Sequence, residues 1–144
     1  KVIATGYLGY AMLDSIHLAK TICKSSEFYQ DDLDININLP QAMIYKDGPS
    51  AGLTFIVGII SQYMSKSIPT DIAFTGELTL RGDILKIGGL KEKLIAAYLR
   101  GIRKVYIPKR NFSDLSDIPK NVKKSLEIHL VHHFKDAVED IWQN

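Results

Sequence analysis

The chain has 144 residues, of which 46% are hydrophobic and 24% are charged, and its formal net charge is +2. These proportions are typical of one globular domain and exclude a disordered chain, a collagen-like repeat and a disulfide-stapled miniprotein. The nearly balanced charges do not indicate nucleic acid as a partner, and no apolar run is long enough to span a membrane.

The first half of the chain predicts two helices separated by a strand and a loop. Apolar residues at helical spacing predict a helix over Leu8–Ile22. Perfect alternation of apolar and polar residues predicts a strand over Leu33–Leu39, which Pro40 ends. An irregular loop follows to Pro49, and a buried helix is expected over Ser50–Ser65.

The second half continues the alternation of strands and helices. In chain order, the patterns predict a strand at Asp71–Phe74, a hairpin over Glu77–Ile87 that turns at Gly82-Asp83, a helix at Leu90–Leu99, a strand at Lys104–Ile107, a short helix capped by Asn111, a strand at Ser125–Val131 and a helix at His133–Trp142. The predicted fold class is therefore α/β (α+β), one compact domain over residues 1–144 with a mixed sheet and flanking helices.

Metal and nucleotide sites find little support in the sequence. His129 stands three or four residues before His132 and His133, but no Cys or His-Glu-x-x-His helix accompanies them, so we expect packed or solvated histidines and no bound metal. The phosphate-binding pattern Gly-x4-Gly-Lys-Ser/Thr is absent, so ATP is not expected to bind this chain. The single Cys23 cannot form a disulfide within the chain, which fits a reducing compartment.

The most informative segment is Lys46–Gly52, in which Ser50 is flanked by Gly48-Pro49 and Ala51-Gly52. An ordinary interpretation makes Ser50 the N-cap of the helix that follows. The functional interpretation makes Ser50 a nucleophile. The glycines would then admit a substrate backbone, and the helix N-terminus would offer N–H donors to a developing oxyanion.

One possible base for such a nucleophile is a histidine. The Gly-x-Ser-x-Gly spacing also matches the nucleophile elbow of α/β-hydrolases, and an acid followed by a histidine would complete a Ser-His-Asp triad. The candidates in that order are Asp114 or Asp117 with His129, His132 or His133. The ten residues between Leu39 and Ser50 argue against it, since the elbow places its serine directly after a strand.

The other possible base is a lysine on the predicted helix at Leu90–Leu99. A lysine can take the proton of a serine only when it is neutral, so burial must lower its pKa from about 10.4. Helical periodicity does not choose between Lys91 and Lys93, and it slightly favours Lys91.

Three longer motifs stand in order along the chain. They are Lys46-Asp-Gly-Pro-Ser-Ala-Gly52, Thr75-Gly-Glu-Leu-Thr-Leu-Arg-Gly82 and Ile87-Gly-Gly-Leu-Lys-Glu-Lys93, with shorter matches at Thr5-Gly-x-Leu-Gly9, Asp34-Ile-x-Ile-x-Leu-Pro40 and Lys104-x-x-Ile-Pro108. Together they resemble the proteolytic domain of ATP-dependent Lon proteases. The similarity covers nearly the whole chain, and three motifs at matching spacing make it specific.

The resemblance implies a serine endopeptidase with a Ser–Lys dyad. The nucleophile of the family falls on Ser50, and its base falls on Lys93, which stands 43 positions later. Thr75 and Asp47 fall on supporting positions, Thr75 beside the lysine and Asp47 in the loop of the nucleophile. The backbone N–H groups from Gly48 to Ala51 are expected to hold the oxyanion, and no cofactor or metal is expected at this site.

The resemblance also implies partners and context. In the family, an AAA+ ATPase module on the same polypeptide uses ATP and Mg to unfold substrates and thread them into a hexameric chamber. We therefore expect polypeptide substrates, unfolded or damaged proteins among them, and a homohexamer of the full-length protein. The ATPase and N-terminal substrate-binding domains are expected to be absent from this chain, and the family's opening strands to precede Lys1. The expected location is the mitochondrial matrix, with the peroxisomal matrix and the bacterial cytoplasm as alternatives.

Two departures from the family pattern concern the surroundings of the dyad. The family commonly has Pro-Glu-Gly-Ala-x-Pro where this chain has Pro40-Gln-Ala-Met-Ile-Tyr45, and it often has His where the strand carries Asn36 and Asn38. These changes leave the dyad intact and affect the substrate groove and the Ser50 loop. An inactive or weakly active Lon-like scaffold or oligomerisation domain is therefore an alternative function, and the Ser-His-Asp hydrolase is another.

Overall fold

The computed structural model describes residues 1–30 and 33–143, in which helices and strands alternate as the sequence predicts. In chain order the elements are β1 (Val2–Thr5), α1 (Tyr10–Lys24), β2 (Ile35–Asn38), α2 (Gly52–Met64), β3 (Ile72–Phe74), β4 (Glu77–Leu78), β5 (Ile84–Leu85), α3 (Leu90–Leu99), β6 (Lys104–Pro108), a 3-10 helix (Lys109–Asp117), α4 (Lys120–Ser125), β7 (Glu127–Val131) and α5 (Phe134–Ile141). The predicted α/β class is confirmed. None of the described helices is long and apolar enough to cross a bilayer.

The described strands form three small sheets. β1 pairs in parallel with β2, and β6 lies in parallel between β3 and β7. β4 and β5 form the antiparallel hairpin that the sequence predicts, with its turn at Thr79–Asp83. The mixture of strand directions expected from the sequence is therefore divided among separate sheets.

Two hydrophobic cores lie on opposite faces of the three-stranded sheet. Side chains alternate along β6, so that Tyr106 packs into the larger core with α1, α2 and α5, while Val105 and Ile107 pack into a smaller core with α3 and α4. The sheet therefore separates α2 from α3. The two helices come together near the carboxyl end of β3, where Thr75 follows Phe74 and bonds Lys93 of α3.

Two local predictions differ from the structure. Asn111 does not cap a helix, because it lies within the 3-10 helix and is fully buried. Its amide oxygen accepts the N–H of Ile87 at 3.0 Å, and its amide nitrogen donates to the Ile87 carbonyl at 2.9 Å. Asn111 thus serves as a backbone partner for the segment before α3. The periodicity also missed β1 and α4, which are too short to show a pattern.

Candidate active site

Ser50 lies in the turn that leads into α2, two residues before the helix begins. Ala51 occupies the N-cap position and no side chain caps this helix, so the N-cap interpretation of Ser50 is wrong. The backbone of Ser50 is fixed instead, because its carbonyl oxygen accepts the N–H of Gly76 at 2.8 Å. The backbone of Ser50 is therefore held in place, and its hydroxyl is not used as a helix cap.

Gly52 allows the start of α2 to approach β4 closely. A Cβ atom at this position would lie 2.8 Å from the Cβ and 2.9 Å from the backbone nitrogen of Leu78. Only glycine fits such a contact without a shift of the backbone. The next residue, Leu53, donates its N–H to the carbonyl of Gly76 at 3.1 Å, which fixes the first turn of α2 and the Ser50 turn together.

Lys93 reaches Ser50 from α3. Its Nζ lies 2.9 Å from Ser50 Oγ and 3.3 Å from Thr75 Oγ1. Lys91, which the periodicity slightly favours, is exposed on the same helix. The structure therefore brings Ser50, Thr75 and Lys93 together and leaves Lys91 in solvent.

The surroundings of Lys93 favour a neutral amine. Burial removes water from the ammonium group, and this desolvation lowers the pKa of Lys93 below its usual value. Within the described residues, no carboxylate forms an ion pair with Lys93 that would offset the loss of water. Thr75 is buried and offers a hydroxyl oxygen instead of a charge. A neutral amine beside a serine hydroxyl is the arrangement that proton abstraction needs.

A small pocket opens beside this pair, between α2 and α3. Its volume is about 280 Å³, and Ser50, Thr75 and Lys93 lie on its wall. Most of the other lining residues are apolar, and they include Ala73, Phe74, Ala96, Ala97, Val105 and Ile107. The pocket is close to the lower limit for small-molecule sites. Its size and lining suit an apolar side chain next to the reacting atoms.

Asp47 joins the loop before Ser50 to the start of α1. Its Oδ1 accepts the N–H of Gly48 at 2.8 Å and the N–H of Met12 at 3.0 Å, and its Oδ2 accepts the hydroxyl of Tyr45 at 3.1 Å. The bonds from Gly48 and Met12 lower the pKa of the Asp47 carboxyl, while the bond to Asp47 raises the pKa of Tyr45. Asp47 therefore lies in the nucleophile loop as an anchored carboxylate.

The backbone donors of this loop differ from the expected set. The N–H of Gly48 is bonded to Asp47, so it is not available to an oxyanion, and this part of the expectation is corrected. The positive φ of 116° at Gly48 explains why glycine stands there. Over residues 1–30 and 33–143, no protein acceptor takes the N–H groups of Ser50 and Ala51. These two groups lie at the N-terminus of α2 and can donate to a ligand.

Lys46 is a structural residue that the sequence reasoning missed. Its Nζ donates to the carbonyl oxygens of Gly6 at 2.7 Å, Gln41 at 2.6 Å and Ile44 at 2.8 Å. All three N–H donors of the ammonium group are therefore used. They close the loop at 41–46 and hold it against the turn after β1. The only sequence signal was the position of Lys46 at the start of the serine motif.

The three candidate histidines of a Ser-His-Asp triad are used in other parts of the fold. The ring of His133 caps α5 by accepting the N–H of Lys135 at 3.2 Å, and the ring of His129 pairs with Glu127. His132 is exposed. None of these side chains is among the described residues that line the Ser50 pocket. The geometry therefore gives the triad no support.

The acidic candidates of that triad also lie apart from Ser50. Asp114 accepts the side-chain N–H of Asn111 at 2.8 Å, and Asp117 is exposed at the end of the 3-10 helix. Among the described residues, no group of three His, Cys, Asp or Glu side chains is placed to hold a metal ion.

Comparisons with known proteins identify the family that the sequence matches. Residues 1–144 match the family described as Lon protease (S16) C-terminal proteolytic domain. The Lon proteases of Buchnera aphidicola and Haemophilus influenzae are each 45% identical over 146 residues, and Lon protease 1 of Thermus thermophilus is 40% identical over 146 residues. Each alignment covers 96% of this chain but only 18–19% of the relative, so the chain spans about a fifth of their length. All three relatives are bacterial.

Proposed function

The chain belongs to the family of Lon protease C-terminal proteolytic domains, and from this premise we propose that it is a serine endopeptidase domain with Ser50 as nucleophile and Lys93 as base. The observation that carries the assignment of residues is the distance of 2.9 Å between Lys93 Nζ and Ser50 Oγ. The lowered pKa of Lys93 supports it, because only the neutral amine accepts a proton.

The proposed reaction is acyl transfer in two steps. Ser50 Oγ attacks the scissile carbonyl carbon while Lys93 Nζ takes the hydroxyl proton, and the same proton then passes to the leaving amine as the peptide bond breaks. Water next attacks the carbonyl carbon of the Ser50 ester while Lys93 accepts a proton from that water. The same proton then passes to Ser50 Oγ as the ester C–O bond breaks, so the acid product leaves with Ser50 restored. Each proton that Lys93 accepts is returned within the cycle.

The supporting roles follow from the contacts. Thr75 Oγ1 receives a hydrogen bond from Lys93 and keeps its Nζ directed at Ser50. The N–H groups of Ser50 and Ala51 are proposed to hold the oxyanion of the tetrahedral intermediate. Asp47 is proposed to position the loop through its bonds to Gly48 and Met12.

We propose that this domain acts within a longer polypeptide. This chain covers only 18–19% of the relatives' length. On the resemblance to ATP-dependent Lon proteases, we propose that an ATP- and Mg-using ATPase module on the longer polypeptide delivers unfolded or damaged proteins, and that this polypeptide forms a homohexamer. No cofactor is proposed for the proteolytic domain itself. The bacterial relatives give no support to the expected mitochondrial matrix, and of the three compartments considered the bacterial cytoplasm is the one that we propose.

An active-site serine probe tests the assignment. We expect a fluorophosphonate to label the folded wild-type chain and a fluorogenic peptide to be cleaved slowly, and both activities to disappear in Ser50→Ala. The exposed His132 serves as the control, so His132→Ala should keep both. Loss of activity in His132→Ala would favour the Ser-His-Asp hydrolase. A folded wild-type chain that neither reacts nor cleaves would favour the scaffold domain.

A further inference from the structure

Asn111 is the most deeply buried polar side chain among the described residues, and the proposed mechanism gives it no role. Its Oδ1 accepts the N–H of Ile87 at 3.0 Å, and its Nδ2 donates to the Ile87 carbonyl at 2.9 Å. The same Nδ2 donates its other hydrogen to Asp114 Oδ2 at 2.8 Å. Both hydrogens of the amide are therefore used inside the protein, and the side chain is fixed from three directions.

Asp114 decides which way the amide of Asn111 faces. The oxygen and the nitrogen of a side-chain amide have nearly the same shape, so their partners determine the orientation. The carboxylate of Asp114 can only accept, so it requires the nitrogen on its side. With the amide turned over, the oxygen would face two acceptors, Asp114 and the carbonyl of Ile87. Asp114 therefore stabilises the one orientation that satisfies both backbone groups of Ile87.

The bonds to Ile87 reach Lys93 through a short segment of backbone. Gly88 and Gly89 follow Ile87, and the carbonyl of Gly89 accepts the N–H of Lys93 at 3.1 Å. The φ of 70° at Gly89 makes the turn into α3. Among the described residues, no other group bonds the N–H or the carbonyl of Ile87. Asn111 is thus the hydrogen-bonding partner that fixes the backbone from which α3 and Lys93 begin.

Asn111 and Thr75 are both held by β6. The 3-10 helix that contains Asn111 begins directly after β6, and Thr75 donates its N–H to the carbonyl of Tyr106 in that strand at 3.0 Å. Packing of Leu90 and Leu94 holds α3 on the smaller core, but apolar packing is not directional. The directional bonds to Ile87 therefore set where α3 starts relative to β6 and Thr75.

We infer that Asn111 is a positioning residue of the proposed peptidase reaction, and that Asp114 holds its amide in the orientation that the reaction needs. Together they fix the start of α3, so that Lys93 Nζ stays within reach of Ser50 Oγ. The inference rests on the proposed Ser50–Lys93 function. Neither Asn111 nor Asp114 is among the described residues that line the Ser50 pocket, so both act through the backbone of Ile87.

Kinetics of four variants test this order of contacts. Asn111→Ala removes the bonds to Ile87 and should lower kcat about 100-fold with little change in KM, because Lys93 is misplaced. Asp114→Ala leaves those bonds possible but no longer selects the amide orientation, so kcat should fall about tenfold. Asp114→Asn keeps an oxygen that accepts from Asn111 and should retain most of the wild-type kcat. Lys86→Ala removes only the exposed ion pair with Asp114 at 3.8 Å and should leave kcat unchanged.

A matched variant separates positioning from loss of stability. Asn111→Ala should also lower the stability, since two buried backbone groups of Ile87 lose their partner. Val138→Ala truncates a buried side chain of α5 in the larger core, so it should lower the stability while kcat stays at the wild-type value. Urea unfolding identifies conditions in which each variant is folded. The half-exposed Asp114 decides the question if Asn111→Ala does not fold, and wild-type kcat in folded Asp114→Ala would overturn the inference.

The titration of Lys93 gives a readout that stability alone does not move. A Lys93 amine displaced toward water loses part of the desolvation that lowers its pKa, so in Asn111→Ala and Asp114→Ala the rise of kcat/KM should move to higher pH. Val138→Ala should keep the wild-type profile. Asp114→Asn removes the same charge as Asp114→Ala, so its unchanged profile would separate placement from charge. An unshifted profile in Asp114→Ala would contradict the inference.

Nuclear magnetic resonance separates this inference from the proposed function. The side-chain amine signal of Lys93 is the one that is missing in Lys93→Met, and its titration needs no cleavage. If the wild type cleaves peptide while the signal and kcat are the same in Asp114→Ala, the positioning inference is wrong and the peptidase function stands. If the folded wild type does not cleave peptide but the titration moves to higher pH in Asp114→Ala, the proposed function is wrong and the placement of Lys93 by Asn111 and Asp114 stands.

Discussion

The two halves of the Ser50–Lys93 pair are held by different parts of the molecule. Ser50 precedes α2, whose buried face belongs to the larger core, and its backbone is bonded to Gly76. Lys93 belongs to α3, of which only Leu90 and Leu94 are buried, both in the smaller core. The nucleophile side is thus bonded directly to the residue after Thr75 through its backbone. The base side is held by the packing of α3 on the smaller core and, before the helix, by the hydrogen bonds between Asn111 and Ile87.

Because Ser50 is held on the larger core and Lys93 on the smaller core, the distance of 2.9 Å between Lys93 Nζ and Ser50 Oγ depends on how the two cores meet. The three-stranded sheet separates the two cores, and Thr75 lies past the end of β3, where they meet. We therefore expect changes on the base side to reduce activity before they unfold the protein. Changes in the larger core should instead reduce stability first.

Removal of the base should have the largest effect. Lys93→Met should fold normally and lose peptide cleavage by about 10⁴-fold or more, since loss of one member of a catalytic unit removes most of its contribution. Lys93→Arg should fail as well, because arginine stays protonated. The exposed Lys91→Met is the matched control and should retain most activity. Steady-state cleavage of a fluorogenic peptide, with circular dichroism for folding, measures this, and activity in Lys93→Met would contradict the Ser–Lys mechanism.

Core truncations compare the two cores directly. Leu94→Ala and Ile56→Ala each remove a side chain that is at most 2% exposed, so each should lower the free energy of unfolding by about 2–5 kcal/mol in urea titrations. Leu94 is the residue next to Lys93, so Leu94→Ala should also lower kcat under conditions where it is fully folded. Ile56→Ala, in the larger core, should keep kcat. Equal kcat values for the two folded variants would mean that the smaller core does not position Lys93.

Loss of the Asp47 carboxylate should loosen the loop that carries Ser50. Asp47→Ala leaves the N–H groups of Met12 and Gly48 without their acceptor, and the freed loop should reduce kcat by up to about 100-fold with little change in KM. Asp47→Asn retains an oxygen that can accept both N–H groups, so it should recover much of the loss. If Asp47→Ala and Asp47→Asn have the kcat of the wild type, the anchor has no role in catalysis.

The pH dependence of peptide cleavage should report the protonation state of Lys93. Burial lowers the pKa of Lys93, so the fraction of neutral amine, and with it kcat/KM, should rise with pH through a value below the usual one for lysine. One unit below that apparent pKa the rate should be about tenfold lower than on the plateau. Initial rates of peptide cleavage across pH measure the profile. A rate that falls with rising pH over this range would exclude Lys93 as a base that must lose its proton.

Glycine substitutions in α2 should give the smallest effect. Gly58→Ala should raise the free energy of unfolding by about 0.5–1 kcal/mol, because the position is open and alanine favours a helix interior. Gly52→Ala should destabilise the protein, because its Cβ would lie 2.8 Å from that of Leu78. Thermal and urea unfolding of both variants measure this contrast. A stabilising Gly52→Ala would show that α2 can move away from β4.

The sequence by itself determined the class of fold. Alternation predicted β2, and apolar periodicity predicted α1, α2 and α3 to within about two residues. The resemblance carried by the three motifs named Ser50, Thr75 and Lys93 as the candidate site. The elements and the motifs were accessible because each is encoded in neighbouring residues. Periodicity and motif spacing need no knowledge of what lies across the fold.

The tertiary structure alone decided which groups meet. Without the family resemblance, periodicity left Lys91 and Lys93 open and allowed Ser50 to cap α2. The approach of α3 past the end of β3 brings Lys93, and not Lys91, to Ser50, and the N-cap position of α2 falls on Ala51. The carbonyl contacts of Lys46 left no trace in the local pattern. Their physical basis is contact between segments distant in sequence, and such contact depends on how the helices pack on the sheets.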